Sequence, residues 1–170
     1  MTAADRYLTP LSFRRALTDR LKQAAKQSRW TMPQLQRQVA YDRLLERLYL
    51  IDDGWIVKGA AALLARDLGT RGNLDVDIYR QAAREVAEAD LRRAAAIDAG
   101  DWFRFEIGIG AVLGTTGVRL PVNSVIGATT WAQFRVDLVG TGVRMTGQPE
   151  DVPPLARGVI PEVAQRGYKA

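Results

Sequence analysis

Asp75-Val76-Asp77 sets two carboxylates two residues apart in LDVDIY, a stretch that alternates apolar and polar side chains. Strand geometry sends alternate side chains to opposite faces. The two acids then share a face with Tyr79, and Leu74, Val76 and Ile78 share the other. Like charges side by side on a sheet face repel, and an ordinary fold gains nothing from them. A divalent cation turns that repulsion into binding, and hard carboxylate oxygens suit Mg²⁺ or Mn²⁺. The plainer alternative is a solvated strand face with two incidental acids.

Three other features bear on this pair. Phe134-Arg135-Val136-Asp137-Leu138-Val139 reads as a strand with one acid in an apolar frame. If it pairs beside residues 74–79, Asp137 completes a three-carboxylate cluster of the kind that serves metal-assisted phosphoryl transfer. Otherwise Asp137 is a single acid on a solvent face. Lys58-Gly59 stands at a strand-to-helix junction. The free N–H groups of a helix start favour phosphate there, and glycine permits close approach. The alternative for Gly59 is a turn glycine. Arg71 precedes the acids by four and six residues, in a loop able to fold over a nucleotide. Its alternative is a surface arginine.

The elements that must position these residues follow from patterning. Residues 1–8 read as a loose lead-in. Thr9-Pro10 opens a helix, with threonine as cap and proline in the first turn. A second helix runs from Thr31 to about Leu50, with Leu35, Val39, Leu44, Leu45 and Leu48 on its buried side. Asp52-Asp53-Gly54 is a turn, and Trp55-Ile56-Val57 a short buried strand. A helix over 60–67, a tight loop at 69–72, the 74–79 strand and a helix over 82–98 come next. Strands are expected at 102–108, 118–126 and 134–139, and the chain reads as loop from Gly140 onward. The fold class is α+β, a mixed sheet backed by helices. The expected division is a basic helical segment at 1–52, a core at 53–145 and a loop-rich segment at 146–170.

Composition narrows the chemistry. The 170 residues include no cysteine and no histidine. Thiolate nucleophiles, cysteine–zinc sites and imidazole bases are therefore excluded. Carboxylates, Lys, Arg, hydroxyls, amides and backbone remain. Lys and Arg number 24 against 19 acids, a net charge of +5. The excess sits in residues 1–50, which hold ten basic and four acidic residues, including Arg14, Arg15, Arg20, Lys22, Lys26, Arg29, Arg37, Arg43 and Arg47. This is either a solvated helical surface or the footprint of a polyanion, with Arg14, Arg15, Lys22 and Lys26 the candidate RNA contacts. No apolar run reaches the roughly 18–20 residues that span a bilayer, and residues 1–10 lack the apolar core of a secretory signal. A cytoplasmic protein without a membrane partner is the expectation.

The stretch WIVKGAAALLARDLGTRGNLDVDIYR resembles the AbiEii family of nucleotidyltransferase toxins, which includes the MenT-type toxins. That family carries K-G-G-[ST]-A-L opening a helix, then R-x-[ST]-x-D-[IL]-D on the next strand. Lys58-Gly59 and Ala62-Leu63 match the first motif; Arg71, Asp75 and Asp77 match the second. The family is similar to the polymerase-beta nucleotidyltransferase superfamily. By this resemblance Asp75 and Asp77 would bind the Mg²⁺ that carries an NTP, and Asp137 would help activate the incoming hydroxyl. Lys58, Gly59, Ala60, Ala61, Arg71 and Asn73 would line the nucleotide. The chain departs from the motifs at Ala60 and Ala61, which leave only backbone N–H groups where the family offers a hydroxyl. It departs again at Asn73, which replaces a Ser/Thr that a partner phosphorylates in some members. Family members also continue into a helical C-terminal half, which this chain is expected to lack.

The resemblance implies an RNA acceptor, the tRNA 3′ end in MenT-type relatives, and a cognate antitoxin. Two other readings stand beside it. One is a transfer-inactive nucleotidyltransferase-like module that binds RNA or an antitoxin partner. The other is a DxD glycosyltransferase using a nucleotide sugar, a class that usually needs a larger nucleotide-binding domain.

Overall fold

In the computed structural model, residues 3–58, 75–141, 151–152 and 168–169 are described. A short helix, α1 (Ala3–Arg6), replaces the expected loose lead-in, because Ala3 is fully buried and anchors the turn. Helix α2 (Pro10–Lys26) starts as its sequence dictates. The Thr9 hydroxyl accepts the Ser12 N–H at 3.1 Å, and Ser12 returns the bond to the Thr9 backbone. Phe13, Leu17 and Leu21 form its buried stripe. Thr31 and Gln34 cap α3 (Met32–Ile51) in the same reciprocal way.

Helix α3 runs through the middle of the molecule. Its expected apolar side is buried, but so is every position from Gln38 to Tyr49. Arg43 and Arg47, expected in the basic surface, are therefore interior. Both clamp Asp101: Arg43 Nε donates to Oδ2 at 2.7 Å, and Arg47 Nη2 to Oδ1 at 2.7 Å. Arg47 also donates to the carbonyls of Arg43, Ile97 and Phe103. A charge removed from water survives only when paired and hydrogen-bonded, as here. Burial pushes the Asp101 carboxyl up, but the bonds and charges of Arg47 and then Arg43 outweigh it and hold the group below its ordinary range.

Strands β1 (Trp55–Lys58), β2 (Asp75–Arg80), β3 (Phe103–Ile107), β4 (Ala111–Leu113), β5 (Gly117–Ile126), β6 (Thr129–Val139), β7 (Asp151–Val152) and β8 (Tyr168–Lys169) form one mixed sheet. Its order is β3-β5-β6-β2-β1-β8-β7, with β4 paired to β5. Strands β4, β7 and β8 form where the sequence carries no strand pattern, the last two in the stretch after Gly140 that reads as loop. Strand β6 starts five residues before the expected Phe134, because Gly127, at φ +67°, turns β5 directly into it. Helix α4 (Arg84–Ala95) connects β2 to the β3–β6 meander. The expected helix over 60–67 and loop at 69–72 lie outside the described residues.

Helices α2, α3 and α4 pack on one sheet face, against Val57, Val76, Ile78, Val118, Leu120, Val122, Val136 and Leu138. The chain is thus α+β, a mixed sheet backed by helices. Arg80, whose guanidinium lies 4.2 Å over the Trp55 ring, ties the end of α3 to α4 through Asp52 and Asp90, each at 3.0 Å. No described helix is long and apolar enough to cross a membrane.

Candidate active site

Alternation along β2 gives the site its geometry. Val76 and Ile78 are buried in the helical layer, so Asp75 and Asp77 project from the other face. Strand β6 runs parallel to β2, with Asp137 directly opposite Asp77 and Arg135 opposite Asp75. Val136 and Leu138 fill the core between them, so Asp137 shares the acid face. On the other side, antiparallel β1 puts Lys58 opposite Asp77. Strand β5 puts Arg119 opposite Asp137. One row across four strands therefore reads Lys58, Asp77, Asp137, Arg119.

The charges in this row are not equivalent. Arg119 holds Asp137 with two bonds, Nε to Oδ1 at 2.7 Å and Nη2 to Oδ2 at 2.8 Å. Arg135 Nε holds Asp75 Oδ1 at 2.6 Å. Hydrogen bonding and the Asp137 charge hold the Arg119 guanidinium well above its ordinary value. Asp77 has no such partner among the described residues. Partial burial first, then the Asp137 and Asp75 charges, push its carboxyl above the usual range against the pull of Arg119 and Lys58. The fold thus disfavours the ionised form of Asp77. Lys58 Nζ lies 5.4 Å from the Tyr79 ring centroid, over a neighbouring side chain of the same face.

Asp75, Asp77 and Asp137 share one face, and carboxylate oxygens are the donor type that hard divalent cations take. Among the described residues no three acids are gathered closely enough to cage an ion. Asp75 and Asp137 turn instead to their arginines. Gly59, Ala60, Ala61, Arg71 and Asn73 lie outside the described residues.

Arg119 and Arg135 were missed in the sequence. Arg135 had a signal, standing two residues before Asp137 and so on its face of a strand. Arg119 had none, since only the β5–β6 register brings it to Asp137.

The basic N-terminal residues are placed elsewhere. Arg15, Lys22 and Lys26 are exposed on α2, within the helical layer and across the sheet from the acids. Arg14 is half-buried. It donates to the carbonyls of Thr129 and Thr130 at 3.3 and 3.0 Å, and lies over the Trp131 ring. Arg20 donates to the Tyr7 hydroxyl at 2.9 Å. The structure does not bring this helix to the acid row.

No family model matches the chain, and no curated protein matches it. Among solved structures it is similar to MenT4, a nucleotidyltransferase toxin from Mycobacterium tuberculosis H37Rv. The TM-score is 0.51 at 15% identity, covering 82% of this chain and 49% of that one. The chain spans about half the length of that protein, and the likeness does not carry AbiEii membership. At this identity the likeness is one of architecture: the mixed sheet and its helical layer have a fold similar to that of a nucleotidyltransferase toxin.

Proposed function

We propose that the protein is a nucleotidyltransferase toxin of the MenT type that transfers a nucleotide from an NTP to an RNA acceptor, the tRNA 3′ end. The observation that carries this reading is the register of Asp77 against Asp137 on parallel strands, with Asp75 on the same face. Asp75 and Asp77 would hold Mg²⁺, with Asp137 beside them. Mg²⁺ would supply neutralisation of the triphosphate charge. Lys58, at the near end of the row, steadies donor phosphates. Asp137 accepts the proton of the acceptor hydroxyl as its oxygen bonds to the α-phosphorus. The bond from that phosphorus to the bridging oxygen of the β-phosphate breaks, and pyrophosphate leaves. Exposed Arg15, Lys22 and Lys26 extend an electrostatic footprint for the body of the RNA. By the motif resemblance Gly59, the Ala60 and Ala61 N–H groups, Arg71 and Asn73 would line the nucleotide. A cognate antitoxin is the expected protein partner, and the cytoplasm the expected compartment.

The two arginine ion pairs favour a second reading, a module that binds RNA or an antitoxin without transfer, because each pair occupies a carboxylate the reaction needs. One experiment separates them. The chain is incubated with each labelled NTP, Mg²⁺ and total tRNA. Label on tRNA that vanishes with Asp77→Asn supports transfer. Absence of label in wild type, together with no thermal shift from Mg²⁺ and NTP, sinks it.

A further inference from the structure

The acid face continues along β5 and β6 into a depression of about 600 Å³, within the range of small-ligand sites. Glu106, Gly108, Pro121, Asn123, Gln133 and Arg135 line it. Register orders these residues. Glu106, Asn123 and Gln133 make one row across β3, β5 and β6. Pro121, Arg135 and Asp75 make the next, and Arg119, Asp137, Asp77 and Lys58 the one after. At about 3.4 Å per residue, the depression runs from about 7 Å to about 14 Å beyond the acid row, a span one nucleotide fills.

Its chemistry is that of base recognition. Asn123 Nδ2 donates to Glu106 Oε2 at 3.2 Å, while its Oδ1 is shielded from solvent and has no partner among the described residues. The exposed Glu106 carboxylate beside it accepts from the exocyclic amine or ring N–H of a base. Gln133, exposed beside Asn123, offers both a donor and an acceptor. The exposed Pro121 ring is an apolar floor. Arg135 lines the depression beside Asp75, Arg119 ends the acid row on the β5 side, and guanidinium groups match phosphate oxygens. Lys58 lies at the opposite end of the acid row. In-line displacement needs the attacking oxygen and the leaving pyrophosphate on opposite sides of the reacting phosphorus.

We infer that the depression seats the 3′-terminal nucleotide of a single-stranded polynucleotide acceptor, its base against Asn123 and Gln133, with the NTP on the Lys58 side. This rests on the transferase reading above. The test uses the intact chain and a six-nucleotide RNA with 4-thiouridine at its 3′ end. Irradiation should crosslink that base to residues 105–108, 121–123 or 133–135. Gln133→Leu, at an exposed position, should weaken RNA binding about ten-fold by anisotropy, the scale of one base contact. The same variant should keep its melting temperature and its Mg²⁺–NTP thermal shift. Crosslinks confined to other elements, or wild-type RNA affinity in Gln133→Leu, overturn the inference. Labelled RNA with crosslinks elsewhere defeats the seat alone. Crosslinks at the seat without any nucleotide transfer defeat the transferase reading alone.

Discussion

Asp77 and Asp137 stand side by side in register on adjacent parallel strands, with Lys58 and Arg119 at the two ends of their row. Two like charges so placed oppose the folded state, and the fold answers unequally. Arg119 satisfies Asp137 with two bonds, whereas Asp77 keeps a raised pKa. The least satisfied carboxylate is therefore the one best placed to gain from a cation.

Replacing that acid should raise stability as it abolishes transfer. The folded pKa of Asp77 lies above the ordinary 3.8, so ionising it costs stability as pH rises through the folded value, and the cost is absent below 3.8. Asp77→Asn should melt about 2 °C higher than wild type at pH 7, and the gap should close by about pH 3.5. Transfer should fall on the order of 100-fold or more. Thermal unfolding across pH, beside the tRNA labelling assay, checks both signs.

Arg119 competes with any cation for Asp137. Arg119→Gln should strengthen Mg²⁺ binding several-fold, on the order of the charge-assisted bonds removed. Adding Asp137→Asn should cancel the gain. Calorimetric titration of the single and double variants reads this directly; equal Mg²⁺ affinity in wild type and Arg119→Gln would contradict it.

The interior clamp makes a prediction about stability alone. Asp101→Asn leaves Arg43 and Arg47 buried without their counter-charge, a loss of about 3–5 kcal/mol, or roughly 10 °C in melting temperature. The folded pKa of Asp101 is depressed, so its stabilisation is present above the ordinary 3.8 and lost as pH falls through the folded value. The gap between wild type and variant should therefore narrow in strong acid. Denaturant titrations at pH 7 and pH 3 measure it.

Lys58 should affect the donor and not the acceptor. Lys58→Met should raise the KM for NTP about ten-fold, the worth of one charged phosphate contact, with little change in the KM for RNA. A rise confined to the RNA constant would place the triphosphate at the other end of the row.

The α2 charges sit across the sheet from the acids and can meet only an RNA large enough to wrap the edge. Changing Arg15, Lys22 and Lys26 together to Gln should flatten the salt dependence of tRNA binding by roughly two to three in log–log slope. Binding of the six-nucleotide RNA should be unaffected. Filter binding at several salt concentrations distinguishes the two.

Much of the site's frame was legible because period-two and helical patterns are local. LDVDIY fixed which face Asp75 and Asp77 take, and Thr9 and Thr31 fixed where α2 and α3 begin. The alternation of FRVDLV put Asp137 on a polar face without saying whose strand lay beside it. Charge pattern misled where burial was non-local: Arg43 and Arg47 looked like surface because their partner, Asp101, is more than fifty residues away. The strands β7 and β8 are two residues long, too short for any pattern to announce.

By itself the sequence determined the available chemistry and its orientation: no imidazole or thiol, and three carboxylates each set on the polar side of an alternating strand. Those properties depend on residue type and on neighbours one or two positions away. Only the tertiary structure decided that β6 lies parallel to β2, that Asp137 meets Asp77, and that Arg119 and Arg135 hold two of the three acids. Strand pairing joins segments about sixty residues apart, and its register is set by how the apolar faces fill a shared core.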